Sequence, residues 1–199
     1  MKKRKVGIFG GTFNPPHNGH VASAESFCRQ MQLDELLIIP AYIPPHKEYS
    51  SLVTCEQRLE MCRLAFSTLE KATVSDIEIK RGGTSYTYLT LQELSNDNVE
   101  LYFLCGTDMI LSMDTWKNPQ IIFNLAHICY ARRENDCDNS ALLRAKCDDY
   151  KRRFGANVHE ISTDVIEISS SEIRNSEDLA SANLPDSVLQ YVREKGLYK

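Results

Sequence analysis

The segment GIFGGTFNPPHNGH, residues 7–20, gathers four glycines, two prolines and two histidines directly behind a short apolar run. Gly10 and Gly11 would let the backbone turn sharply after a strand and come close to a ligand. A helix starting near Asn18 would present free N–H groups and a positive dipole end to an anion. His17 and His20 are three residues apart, so they can share one face of the first helical turn and donate to one phosphate. Two histidines at this spacing could also bind a metal, or be plain surface or capping residues. No further His, Cys or Asp stands beside them at ligand spacing. The segment has neither the spacing and lysine of a P-loop nor a G-x-G-x-x-G pattern.

A second candidate lies late in the chain, in ISSSEIR, Ile168 to Arg174. Ser169 and Glu172 have capping-box spacing, which places Ser170 and Ser171 at a helix N-terminus. An ordinary cap is the plainer account of these serines taken alone.

Both segments need a frame. Val6–Phe9, Leu36–Ile39, Val74–Ile79, Val99–Leu104, His127–Ala131 and Val158–Ile161 read as strands, the third more weakly than the others. Between them lie helical patterns: Val21, Ala24, Cys28 and Met31; a capped helix opening at Thr54 with the stripe Cys55, Leu59, Cys62, Phe66 and Leu69; Thr84–Leu94; and Ala141–Phe154. Two tail helices are expected, one from Ser169 and one over Asp186–Glu194 with Gly196 as its C-cap. This alternation predicts an α/β fold, a Rossmann-like doubly wound parallel sheet with C-terminal helices, over residues 1–199 as one domain. Ligands in such sheets bind beyond the carboxyl ends of the strands. That edge would carry Gly10–His20, Cys105–Asp108 and Ala131–Arg133. The proline-rich loop from Pro40 to Val53 is too long for a simple connector.

Composition narrows the function. A net charge of −4 argues against a nucleic-acid partner. No segment approaches the roughly 18 apolar residues of a membrane span, and no signal-peptide apolar region is seen. The seven cysteines are odd in number and contain no C-x-x-C, as expected of reduced thiols in a cytoplasmic protein.

GGTFNPPHNGH resembles the signature of nucleotidyltransferases with the H-x-G-H motif, here His17-Asn18-Gly19-His20, and ISSSEIR resembles their second signature. The chain is similar to the bacterial nicotinate-nucleotide adenylyltransferases over essentially its whole length. PPHK (44–47), SYTYLTL (85–91), CGTDM (105–109), Thr115-Trp116, ARR (131–133) and the late GLY (196–198) carry that closer match. One departure is Asn14, where the family often has Asp. Asn can hold the same turn through its side-chain carbonyl.

The resemblance implies that ATP and nicotinate mononucleotide give nicotinate adenine dinucleotide and pyrophosphate, in NAD biosynthesis. His17, His20, Lys47 and Arg174 would be catalytic. Gly10, Gly11, Thr12, Phe13, Gly106, Asp108, Arg132, Ile168, Ser170 and Ser171 would bind ATP. Tyr86, Thr87 and Trp116 would meet the acceptor. Mg²⁺ would accompany ATP, held mostly by phosphates and water rather than by a protein metal site. The alternatives are the same chemistry on nicotinamide mononucleotide, phosphopantetheine adenylyl transfer, and a non-catalytic nucleotide-binding module. A homo-oligomer is left open.

Overall fold

The computed structural model describes residues 2–45, 53–132, 140–163 and 168–198. Among these residues six strands form one parallel sheet in the order β3-β2-β1-β4-β5-β6. The strands are β1 (Arg4–Gly11), β2 (Glu35–Pro40), β3 (Ala72–Val74), β4 (Val99–Gly106), β5 (Ala126–Arg132) and β6 (Val158–Ser162). The helices are α1 (Asn18–Met31), α2 (Cys55–Ala65), α3 (Ile77–Arg81), α4 (Thr87–Leu94), α5 (Thr107–Ser112), α6 (Pro119–Leu125), α7 (Ser140–Phe154), α8 (Ser170–Arg174), α9 (Glu177–Asn183) and α10 (Asp186–Lys195).

The apolar strands are buried on both faces because side chains alternate across a strand. Along β4, Tyr102 and Leu104 join a core with Phe27, Met61 and Val188. Leu101, Phe103 and Cys105 join the opposite core with Ile110, Ile122 and Tyr150. β2 divides the same way, Leu36 and Ile38 against Leu37 and Ile39. Helix starts follow their caps. Thr54 Oγ1 accepts from Gln57 N–H at 3.2 Å while Gln57 Oε1 accepts from Thr54 N–H at 3.0 Å. Gly196 ends α10 in the left-handed region, with φ 61°.

Three sequence expectations change. Val74–Ile79 is not a strand: β3 stops at Val74 and Ile77–Arg81 is helical. Ile77 and Ile79 mimic a strand alternation, but the buried residue is Glu78 between them, bonded to the Thr90 hydroxyl. The short α5 and α6 follow β4 where no helix was expected. The described tail holds three helices rather than two, because Ser176 caps α9 by accepting from Leu179 N–H. The six described cysteines are free thiols, and burial pushes the Cys129 thiol up to about 12.

Candidate active site

The sheet changes direction between β1 and β4, which pair directly from Arg4↔Val99 to Phe9↔Leu104. A cleft at the carboxyl ends of these two strands is where such sheets hold ligands. Gly10 and Gly11 stay within β1, paired with Ile39 and Pro40, so they do not make the turn assigned to them from sequence. The reversal falls at Phe13, whose φ is +49°. Left-handed backbone is uncommon for an aromatic residue. Phe13 is held there by burial, edge-on to Phe9 at 5.4 Å and to Phe66 at 5.9 Å. Gly11 makes room for this: a Cβ there would lie 3.0 Å from the Phe13 ring. A Cβ on Gly10 would meet only Phe103, at 3.9 Å, so packing within the protein does not demand that glycine.

The loop after Phe13 is tied down by distant segments. Arg174 Nη1 donates to the Asn14 carbonyl at 2.8 Å, and Ser170 Oγ donates to the Pro15 carbonyl at 2.9 Å. Arg174 Nη2 also donates to Ser171 Oγ at 3.2 Å. The two segments singled out from opposite ends of the chain therefore meet in space. α8 is oriented for this by Ser169, which accepts from Glu172 N–H while Glu172 accepts from Ser169 N–H.

His17 is the N-cap of α1 and His20 its third residue. Their rings lie 3.7 Å apart between centroids. His17 N–H donates to His20 Nδ1 at 3.2 Å. A ring nitrogen that accepts carries no proton, so the neutral His20 imidazole keeps its N–H at Nε2. His20 also packs edge-on against Phe13 at 5.2 Å. The result is a fixed N–H donor at the mouth of a helix N-terminus.

At the end of β4, Asp108 is exposed and folds back over Gly106, where a Cβ would stand 2.7 Å from Asp108 Oδ1. Tyr86 precedes α4 and Thr87 opens it. Trp116 is half-buried, edge-on to Phe103 at 6.3 Å, and Ile168 packs partly against the core. Thr12 offers its carbonyl to Arg58. Lys47 and the side chain of Arg132 lie outside the described residues.

Sequence reading missed Arg58. It is 1% exposed, and its guanidinium donates to the Thr12 carbonyl at 2.9 Å and to the Tyr42 carbonyl at 3.2 Å. Tyr42 N–H in turn donates to Ser85 Oγ at 2.9 Å, and Ser85 N–H to the Ile43 carbonyl at 2.9 Å. One buried cation thus links the loop after β1 to the segment that begins α4. A signal existed, since Arg58 shares the helical face of Cys55 and Cys62. Asp114 was also missed. Burial would raise its carboxyl, but hydrogen bonds from Lys146, Tyr150 and Arg153 outweigh that and hold it below the ordinary carboxylate range. Tyr150 OH bridges Asp114 and the Ile110 carbonyl, fixing α7 against the turn before Trp116.

The sequence matches the cytidylyltransferase-like family model over residues 8–176, which contain both signature segments. The chain belongs to that family. Among curated relatives of similar length, a protein of Geotalea daltonii named probable nicotinate-nucleotide adenylyltransferase is 38% identical, with 98% of each chain covered. One of Clostridium botulinum bearing the same name is 32% identical, again over 98% of each. In fold, the chain is similar to the nicotinic acid mononucleotide adenylyltransferase of Plasmodium falciparum complexed with NaAD. That match has a TM-score of 0.79 and 18% identity, and covers 98% of this chain and 97% of the other. The family match and the curated relatives make the chain a nucleotidyltransferase.

Proposed function

We propose that the chain transfers the adenylyl group of ATP to nicotinate mononucleotide, giving nicotinate adenine dinucleotide and pyrophosphate. The observation that carries this is the meeting of Arg174 and Ser170 with the Asn14–Pro15 carbonyls, beside the paired rings of His17 and His20. Cationic and neutral N–H donors from both ends of the chain surround one turn that a triphosphate can occupy.

The chemistry asks for little more than this. The attacking group is a phosphate oxygen of the mononucleotide, mostly ionised near neutrality because the second phosphate pKa is about 6. It forms a bond to the α-phosphorus as the bond to pyrophosphate breaks, so no general base is required. Catalysis is then positioning plus neutralisation of charge on the departing oxygens. We assign the roles from the resemblance to the nicotinate-nucleotide adenylyltransferases. His20 Nε2–H, with His17, faces the ATP phosphates. Arg174, with Ser170 and Ser171, grips the β- and γ-phosphates, exchanging its carbonyl bond for phosphate oxygens. The backbone of Gly10, Gly11, Thr12 and Phe13 lines the phosphate path. Asp108, over Gly106, meets the ribose hydroxyls, with Ile168 and Arg132 on the ATP side. The family resemblance assigns Lys47 to the triphosphate as well. Trp116 offers an aromatic face to the pyridine ring, and Tyr86 and Thr87 meet its carboxylate.

Among the described residues no group of three or more His, Cys, Asp or Glu is placed to hold a metal ion. We infer that the divalent cation accompanying ATP is Mg²⁺, held mostly by the triphosphate and water, as where proteins supply few ligands. When bound it would neutralise charge on the β- and γ-phosphates. Among the described residues no helix is long and apolar enough to cross a membrane. We read residues 1–199 as one catalytic domain working in the cytoplasm.

The test is pyrophosphate release by purified protein with ATP, Mg²⁺ and each mononucleotide in turn. Release is expected to be fastest with nicotinate mononucleotide, since a site built of donors leaves an amide's own donors unmatched. No release with any acceptor would overturn the enzymatic reading. An equal or faster rate with the amide would overturn the substrate assignment.

A further inference from the structure

The phosphate turn has one support that its proposed chemistry does not use. After α10, Gly196 reverses the chain and Leu197 N–H bonds back to the Val192 carbonyl at 3.0 Å. This swings Tyr198 inward. Its ring packs on the core that holds Phe13 and Met61. Its hydroxyl donates to Asn14 Oδ1 at 2.8 Å, across a separation of 184 residues. The same Oδ1 accepts from Val53 N–H at 3.4 Å. Asn14 itself is 2% exposed, and its carbonyl is the one that Arg174 grips. A single side-chain oxygen therefore collects Tyr198 after α10, the last residue of the Pro40-to-Val53 loop, and the turn after β1.

We propose that Tyr198 is a positioning residue for adenylyl transfer, acting through Asn14 Oδ1 to hold the Phe13–Pro16 turn where His17 and Arg174 can meet phosphate. The proposal rests on the functional reading above. Three features favour positioning over simple packing. The hydroxyl is spent on the turn and not on the tail's own helices. Tyr198 adopts a left-handed φ of +62°, uncommon for a bulky residue, in making the bond. Burial, only partly countered by Arg174 and Arg58, pushes the phenol up, so it remains a donor at any working pH. The bond also gives Asn14 a purpose: an amide oxygen accepts from Tyr198 and Val53 as a carboxylate would, and position 14 needs no charge for it.

Tyr198→Phe removes the hydroxyl and leaves the ring. Two readouts decide the matter, both taken where circular dichroism shows the variant folded. In pyrophosphate release, kcat is expected to fall about five-fold or more with both KM values within about two-fold of the parent, the scale of one lost hydrogen bond felt in the transition state. In hydrogen exchange, the amides of Thr12, Phe13, Asn14 and His17 are expected to exchange about five-fold faster while those of β4 are unchanged. A kcat within two-fold of the parent, or unaltered exchange in the turn, overturns the proposal. If the parent releases no pyrophosphate with any mononucleotide, the functional reading has failed, and the exchange experiment alone decides whether Tyr198 holds the turn.

Discussion

His20 is the residue whose substitution separates donation from proton transfer. Its Nδ1 accepts from His17 N–H at 3.2 Å, so in the proposed role Nε2–H is the donor to phosphate. His20→Ala removes that donor and also orphans a cap N–H. Losing one preorganised transition-state donor costs about 2.7–4 kcal/mol, so kcat is expected to fall by roughly 10²- to 10³-fold. The lost cap acceptor adds about 1 kcal/mol to the loss of stability. His20→Gln is the sharper variant. An amide presents an acceptor and a donor two bonds apart, as imidazole does, and Gln at the third helical position suits a capping box. It is expected to restore the stability and to recover kcat about ten-fold over the Ala variant, since the role needs a neutral N–H and no titration. The assays are steady-state pyrophosphate release and urea unfolding of the three proteins. A Gln variant as slow as the Ala variant, while equally folded, would refute the donor assignment in favour of an ionising imidazole. A loss confined to KM would refute transition-state stabilisation.

Two other perturbations follow from the same geometry. Arg58→Met keeps the volume but removes both bonds to the Thr12 and Tyr42 carbonyls. Relief of a buried charge offsets part of the loss, so about 2–3 kcal/mol of stability is expected to go, and urea unfolding with an unchanged midpoint would contradict it. His159 lies 3.2 Å from His127, near Tyr102, Glu100 and Lys5, and burial together with His127 and Lys5 holds it below its ordinary 6.5. The unfolded chain therefore binds the proton first: stability is full above about 6.5 and declines as pH falls toward the folded value. His159→Gln is expected to remove roughly half or more of the drop in urea midpoint between pH 7.5 and 5.5, and an identical drop in both proteins would contradict this.

The sheet and its chemical edge could be read in the residues because apolar runs and caps report local requirements. β4 is apolar on both faces, so it reads as a buried strand wherever it sits. Thr54 and Gln57 announce a helix start without any tertiary help. The misread parts depend on partners far along the chain. Ile77 and Ile79 alternate like a strand, but the segment is helical, with Glu78 buried against the Thr90 hydroxyl of α4. The turn was assigned to Gly10 and Gly11 because glycine usually provides one. Here the Phe9 and Phe66 rings keep Phe13 in the unusual conformation, and no local pattern carries that information. Arg58 shares the buried face of α2, but its targets are two carbonyls on other loops, which the sequence does not announce. Asn14 was noted as a turn former, but its partners at 53 and 198 could not be seen. The H-x-G-H and serine signatures were recognisable from resemblance; the hydrogen bonds that join them were not.

The bond from Tyr198 to Asn14 also has a meaning in time. A ribosome delivers the first of these residues 184 positions before the second. At about 5–20 residues per second, the turn after β1 waits roughly ten to forty seconds for the residue that completes it. Through that interval the nascent chain carries residues 10–20 without the bonds from Arg174 and Tyr198 to Asn14. The bonds that tie the turn to Arg174 and Tyr198 can therefore form only after the chain has been made as far as each of those residues.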